Sequence, residues 1–88
     1  MSRVIQWARR AAKEIETVPE ADQARILSAV DRFAETGEGD VKRLVNVRPA
    51  RYRLRVGDWR VLFSTEHAHQ PSGTIVILRV LRRDKAYS

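Results

Sequence analysis

Two alternating segments joined by a two-residue connection constrain the fold of this chain more than any other feature. Residues Tyr52–Val56 alternate apolar and basic side chains, and Trp59–Phe63 continue the alternation except at Leu62, which is apolar on the other face. Alternation with a period of two is typical of a strand with one buried face. The intervening Gly57–Asp58 has glycine first, which favours a type II′ turn. The sequence therefore predicts a β-hairpin whose turn fixes its register.

This register places Arg55 directly opposite Arg60 and brings Arg51 and Arg53 to the same face of the hairpin. Opposed like charges are expected to cost up to ~1 kcal/mol, so this face suits a bound anion; a solvated strand that happens to be basic is the alternative. Because Arg60 is predicted to lie off the apolar face, we expect its truncation to leave the fold nearly intact. The opposite, apolar face, which must meet the helices, consists of Tyr52, Leu54, Val56, Trp59, Val61 and Phe63.

The remaining segments predict two helices and two further strands. In order, the elements are a strand at 3–7, a helix ended by Pro19, a second helix at about 20–34, a loop at 36–40, the hairpin and a strand at 74–81. The last strand is apolar on both faces and is therefore predicted to be central. The chain is predicted to be one domain over residues 1–88, an α+β fold ordered β-α-α-β-β-β, in which a helical hairpin packs on a mainly antiparallel sheet of about four strands.

The charge of the chain is concentrated in its C-terminal half. Over 88 residues the net charge is +6, but residues 42–88 hold 11 basic against three acidic groups, a net of +8, whereas residues 1–41 have a net charge of −2. Fourteen of the 17 basic residues are Arg, which suits bidentate contacts with phosphates or carboxylates. We therefore expect a polyanion or an acidic protein as the partner.

Composition argues against several other classes of protein. Without cysteine there is neither a disulfide framework nor a thiolate zinc site, which fits a reducing cytosol. No apolar run approaches the ~20 residues that span a bilayer, so we expect a cytoplasmic protein with no membrane partner. His67 and His69 are interpreted as exposed loop residues, and no metal site is predicted.

The C-terminal segment is predicted to add functional groups near the same sheet. It carries Arg82, Arg83 and a terminal Tyr87 directly after the last strand. A phenol can donate a proton or stack on a base, and neighbouring cations lower its pKa. A hydrophobic anchor for the C-terminus is an equally good interpretation of Tyr87.

Taken together, these residues resemble the RelE/ParE superfamily of bacterial toxins, on the RelE side. The resemblance runs from the opening strand with Trp7, through the helix with Ala11–Lys13, to the hairpin 52–61, the last strand at 77–80 and the segment 82–87. It implies a RelE-like fold and an endoribonuclease that enters the ribosomal A site and cuts mRNA there, with no cofactor. It also implies a cognate antitoxin that neutralises the toxin, and contact with operator DNA only through the toxin–antitoxin complex.

The resemblance assigns roles to particular positions. It implies catalytic roles for Arg60, Arg83 and Tyr87, and places Arg53 and Arg55 at the two basic strand positions of the family. Arg51, on the same predicted face, and Arg82, in the C-terminal segment, are expected to join Arg53 and Arg55 in contacts with RNA phosphates. RelE-like chains often carry Lys on the first hairpin strand or His near position 82, and both places are Arg here. An arginine stays protonated and does not serve as a general base, so Tyr87, or an acid such as Glu38 or Asp58, is expected to move the proton.

Two other function classes remain open at this level. A ParE-like inhibitor of DNA gyrase would share the fold, although chains of that type usually lack the C-terminal tyrosine found here as Tyr87. A catalytically degenerate toxin, acting through antitoxin and DNA binding alone, would keep both the fold and the charge.

Overall fold

The computed structural model describes residues 3–66 and 73–85. Within them the chain forms two helices and five strands. In chain order they are β1 (Val4–Trp7), α1 (Arg9–Glu16), α2 (Glu20–Thr36), β2 (Asp40–Arg43), β3 (Tyr52–Val56), β4 (Trp59–Glu66) and β5 (Thr74–Arg82).

The strands form one mixed sheet in the order β1-β5-β4-β3-β2. Only the β1–β5 pair is parallel, and the other three pairs are antiparallel. The α+β class and the mainly antiparallel sheet are therefore confirmed, and β5 lies inside the sheet as its apolar pattern predicted. Strand β2 was not predicted. Its sequence, Asp40–Arg43, is short and polar, and it becomes a strand by pairing with β3.

The two helices begin and end where local sequence signals place them. Ala11 and Ile15 form the buried stripe of α1, and Pro19 occupies the N-cap position of α2. Helix α2 ends at Gly37, whose φ of 76° is left-handed and whose amide donates to the carbonyl of Phe33 at 2.8 Å. This is the usual way in which a glycine ends a helix.

The core lies between the helices and one face of the sheet. The helices contribute Ala11, Ile15, Val18, Ile26, Val30 and Ala34, and the sheet contributes Leu54, Val61, Phe63, Ile75, Ile77 and Val80. The hairpin residues among these belong to the predicted apolar face. The opposite face of β3 and β4 is therefore turned away from the helices.

The hairpin has the predicted register. Arg55 pairs with Arg60 and Val56 pairs with Trp59 across the turn. Gly57 has a φ of 58°, whereas Asp58 does not have a positive φ, which is the pattern of a type II′ turn. The length of the turn and the alternation of side chains are thus sufficient to place every side chain of the hairpin on its correct face.

Candidate anion-binding face

Three arginines share the side of the hairpin that is turned away from the helices. Arg53 and Arg55 lie on β3, and Arg60 lies on β4 directly opposite Arg55. We call this surface the arginine face. Across the sheet, β2 adds Asp40 beside Arg55 and Lys42 beside Arg53. The face is therefore strongly cationic, with one carboxylate at its β2 edge.

Arg60 is buried, although it lies on the face away from the helices. Only 3% of its surface is exposed. Its Nη1 donates to the carbonyl of Gly57 at 2.8 Å and to that of Trp59 at 2.9 Å, so the guanidinium folds back onto the hairpin turn. The burial of Arg60 does not support the expectation that its truncation leaves the fold nearly intact. Alternation indicates which face a side chain occupies but not what surrounds it there.

The charge of Arg60 has no carboxylate partner among the residues that the structure describes. Its Nε–H is also buried and donates to no acceptor within the same part of the chain. A buried cation without a counter-charge costs free energy. Residues that retain such a cost are often placed for a ligand.

The two arginines of β3 differ from Arg60 and from each other. Arg55 is exposed, so its guanidinium is open to a ligand. The side chain of Arg53 is only 14% exposed, and its Nη2 lies 3.8 Å from Oδ1 of Asp40. The arginine face therefore offers one exposed guanidinium, Arg55, above two that the fold holds in place.

Arg51 lies just before β3 and is half-buried. Its Nη1 donates to the carbonyl of Ala50 at 3.2 Å, while its own carbonyl accepts from the amide of Leu44 at 2.9 Å. Arg51 is therefore engaged with its own loop at the edge of the arginine face.

Arg82 does not lie on the arginine face. Its guanidinium sits over the ring of Trp59, 5.0 Å from the centroid, and Nε1 of that tryptophan donates to Oδ2 of Asp22 on α2 at 3.1 Å. Arg82 lies near the sheet, as expected, but on its helix side, because it pairs with Trp59 and its side chain points to the same face as that residue.

The C-terminal segment is attached to the hairpin turn. The amide of Arg83 donates to the carbonyl of Asp58 at 2.8 Å, and the amide of Lys85 donates to the carbonyl of Arg82 at 3.0 Å. The side chain of Arg83 is exposed. Tyr87 lies outside the described residues.

Sequence reasoning missed an ion pair at the edge of β5. Arg79 donates through Nε and Nη2 to both carboxylate oxygens of Glu14 on α1, at 2.8–3.1 Å, and the amide of Val80 donates to the same carboxylate at 3.0 Å. Burial raises the pKa of Glu14, but the hydrogen bonds from Arg79 and Val80 and the nearby positive charges outweigh it, so this pKa lies below its ordinary value. No sequence signal pairs positions 65 residues apart.

The described residues hold neither a candidate metal site nor a candidate membrane-spanning helix. Residues 3–66 and 73–85 hold no group of three or more metal-ligating side chains, and His67 and His69 lie outside these ranges. Neither of the helices α1 and α2 is long and apolar enough to cross a bilayer.

Comparison of the chain with known protein families indicates a class of toxin. Residues 5–87 match the family described as the ParE toxin of the type II toxin–antitoxin system, parDE. The chain belongs to this RelE/ParE family, as its residues indicated, and is a toxin of a type II toxin–antitoxin system.

Solved structures share the fold over almost their whole length. The chain is 24% identical to a chain of the archaeal RelE–RelB complex from Pyrococcus horikoshii, with a TM-score of 0.75 and coverage of 97% of this chain and 99% of that one. For the RelB–RelE complex from Methanococcus jannaschii the values are 23% identity, a TM-score of 0.73 and coverage of 93% and 94%. For the RelBE2 toxin–antitoxin complex from Mycobacterium tuberculosis the identity is 25% and the TM-score is 0.59, with coverage of 94% of this chain and 100% of that one. No curated protein matches the chain by sequence.

Proposed function

We propose that this toxin is a ribosome-dependent endoribonuclease that cleaves mRNA in the A site and inhibits translation until its antitoxin neutralises it. The observation that carries the proposal is the opposed pair of Arg55 and Arg60, of which Arg60 is buried with no ion pair to any described residue. Such a pair is costly when no anion is bound. A phosphate of the RNA backbone would supply the missing negative charge.

The chemistry of cleavage explains why several guanidiniums are useful here. Attack of the RNA 2′-hydroxyl on the scissile phosphate passes through a phosphorane-like state that carries more negative charge than the ground state. Donors that are already fixed in place stabilise that state more than they stabilise the bound substrate. In this proposal Arg60 holds the scissile phosphate, Arg83 braces it from the C-terminal segment, and Arg55 contacts the RNA from the exposed side.

The remaining arginines have supporting parts in the proposal. Arg53 and Arg51 lie beside the phosphate-binding pair and contribute positive charge to the path of the RNA. Arg82 is on the other side of the sheet, so its contact with RNA would be made around the end of the hairpin and not on the arginine face.

A proton must also move during cleavage. Arginine is a poor base, and Glu38 is held by Arg32, whose Nη2 lies 2.6 Å from its Oε2. We therefore assign the proton transfer to Tyr87, for which a neighbouring cationic segment would favour the phenolate.

Arg55 gives the cleanest test of the nuclease, because it is exposed and its removal does not disturb the core. Arg55→Ala should lower the rate of mRNA cleavage on stalled ribosomes by roughly 10–100-fold, the loss expected for one hydrogen bond to a charged group, with little change in thermal stability. Arg9→Ala is the matched control, since it removes an equal charge from an exposed position at the start of α1, and it should cleave like the parent. Cleavage by Arg55→Ala at the parent rate would contradict the proposal.

Inhibition of DNA gyrase is a second candidate, because the matching family is described by its ParE members. The same preparations should be assayed for inhibition of gyrase supercoiling. Inhibition by the parent chain, together with absence of mRNA cleavage, would favour this candidate over the nuclease.

We further propose that an acidic segment of the antitoxin covers part of the helix-side sheet. An open pocket of about 270 Å³ lies where α2 ends, and its apolar lining includes Phe33, Val41, Tyr52 and Phe63. Phe63 is in ring contact with Phe33 and with Tyr52, at centroid distances of 5.2 and 5.5 Å. The pocket suits one apolar side chain of the antitoxin, and the net charge of +6 favours acidic residues around it.

A further inference from the structure

The carbonyls around the hairpin turn are bound by other parts of the chain. In an exposed two-residue turn, water can satisfy such groups. Here Nη1 of Arg60 binds the carbonyls of Gly57 and Trp59, and the amide of Arg83 binds the carbonyl of Asp58 between them. Three successive carbonyls are thus held by only two residues. The turn therefore connects the buried arginine of β4 to the C-terminal segment.

The turn is also closed on its helix side. Gly57 has a φ of 58°, and a Cβ added there would lie 3.2 Å from Nη2 of Arg25 on α2. The guanidinium of Arg25 thus packs against the glycine, while that of Arg60 binds the turn from β4. The side chain of Arg25 is 66% exposed, so the hydrogen bonds from Arg60 and Arg83 are the stronger restraint on the turn.

The position of Arg83 depends on this turn. Its exposed side chain makes no hydrogen bond or ion pair with residues 3–66 or 73–85. The amide of Arg83, in contrast, donates to the Asp58 carbonyl. The amide of Lys85 donates to the Arg82 carbonyl and so forms a turn over residues 82–85. Arg82 is the last residue of β5 that pairs with β4, so the hydrogen bond from Arg83 to Asp58 holds the backbone of Arg83 beside the hairpin turn where β5 ends.

We propose that Arg60 and the Gly57–Asp58 turn form a positioning unit that holds residues 83–85, and Arg83 with them, beside the hairpin turn. Arg60 is then a positioning residue, in a role separate from the phosphate contact proposed above. The consequence for cleavage rests on the proposed nuclease. The attachment of the segment to the turn is independent of the proposed nuclease.

Two glycines provide a matched test. Gly57 and Gly37 both have a positive φ, 58° and 76°, so alanine strains the backbone at each, and more so at the first position of a type II′ turn than at a helix cap. Alanine at Gly57 also meets Arg25, whereas nothing lies within 4 Å of a Cβ at Gly37. Gly57→Ala should therefore disturb the turn without removing any charge, and Gly37→Ala controls for the general loss of stability.

Amide hydrogen exchange tests the attachment directly. In Gly57→Ala the amide of Arg83 should exchange about tenfold faster relative to the core amides of β4 and β5, because local opening is reported separately from global unfolding. Arg60→Met should have the same effect on this amide, and Gly37→Ala should not. Unchanged relative exchange of the Arg83 amide in both Gly57→Ala and Arg60→Met would overturn the proposal.

Cleavage of ribosome-bound mRNA tests the consequence. Gly57→Ala should lower kcat by roughly 10²-fold, since a displacement of about 1 Å has effects of that size, while the affinity for the ribosome is retained. Faster exchange at Arg83 with an unchanged kcat would overturn the positioning role. If the parent chain cleaves no RNA, the nuclease proposal fails, and the exchange measurements still decide whether Arg60 and the turn hold the segment.

Discussion

At the scale of single residues, Arg55 and Arg60 show that two members of one cross-strand pair can have opposite environments. Arg55 is exposed, whereas Arg60 is 3% exposed and bound to two backbone carbonyls. For an exposed arginine, water screens the charge. For Arg60 the burial of an uncompensated charge opposes the gain from its hydrogen bonds and packing. The two contributions can be separated by substitution.

Arg60→Met should keep most of the side-chain volume and remove the buried charge, so the variant should be at least as stable as the parent. Arg60→Ala also leaves a cavity and should lose about 1–3 kcal/mol of unfolding free energy. Thermal unfolding of the two variants measures the difference, and Arg55→Ala is the exposed control. A methionine variant as unstable as the alanine variant would mean that the charge of Arg60 stabilises the fold.

At the scale of elements, the Glu14 side chain completes an edge of the sheet. Strand β1 pairs with β5 only from Thr74 to Ile77, so the later residues of β5 have no strand on that side. The carboxylate of Glu14 accepts the Val80 amide there and binds Arg79. An edge amide that would otherwise be left open is thus satisfied by a helix, which fixes α1 against β5.

This contact predicts an acid-sensitive contribution to stability. Because the pKa of Glu14 is lower in the folded chain than in the unfolded chain, its contribution is present above the unfolded pKa and is lost as the pH falls through the folded pKa. Glu14→Gln should cost about 1.5–3 kcal/mol at neutral pH, and its deficit should shrink as the parent is acidified below about pH 4.5. Thermal unfolding across that range is the measurement.

Glu16→Gln is the matched control for this prediction, because Glu16 is exposed on the same helix. The thermal stability of Glu16→Gln should be close to that of the parent at any pH. A Glu14→Gln deficit that stays constant down to pH 3 would show that its side-chain packing, and not its charge, supports the contact.

At the scale of the whole molecule, two helices are too few to cover five strands. Helix α2 ends at Thr36, and the pocket around Phe33, Tyr52 and Phe63 remains open beside it. Together with the cationic arginine face on the other side, this leaves both an apolar and a charged surface uncovered. An acidic antitoxin segment with apolar side chains would complement both.

The cognate antitoxin should therefore raise the thermal midpoint of the toxin, because it binds only the folded chain. At a concentration about 1,000 times Kd the gain is ~4 kcal/mol, which corresponds to a rise of roughly 15–30 °C for a domain of this size. Thr65→Glu, which places a negative charge at the rim of the pocket, should reduce the rise. Polyglutamate is the control for charge alone. An equal rise with polyglutamate would contradict a specific role for the pocket.

The hairpin could be predicted from the sequence, because its determinants are local. The glycine of a two-residue turn fixes the register, and alternation then assigns Leu54 to the core and Arg55 to the opposite face. The stripes of both helices and the central place of β5 follow from the same kind of periodicity. The charge of the C-terminal half and the motifs around the hairpin were sufficient to indicate the toxin family.

The surroundings of each functional side chain depend on tertiary packing. Alternation could not show that Arg60 is buried against its own turn, that Arg82 stacks on Trp59 behind the sheet, or that Glu14 meets Arg79. Strand β2 likewise exists because β3 offers it an edge and not because its own sequence favours a strand. Periodicity reports the direction of a side chain from its own backbone, whereas burial and pairing depend on segments far away in sequence that packing brings together.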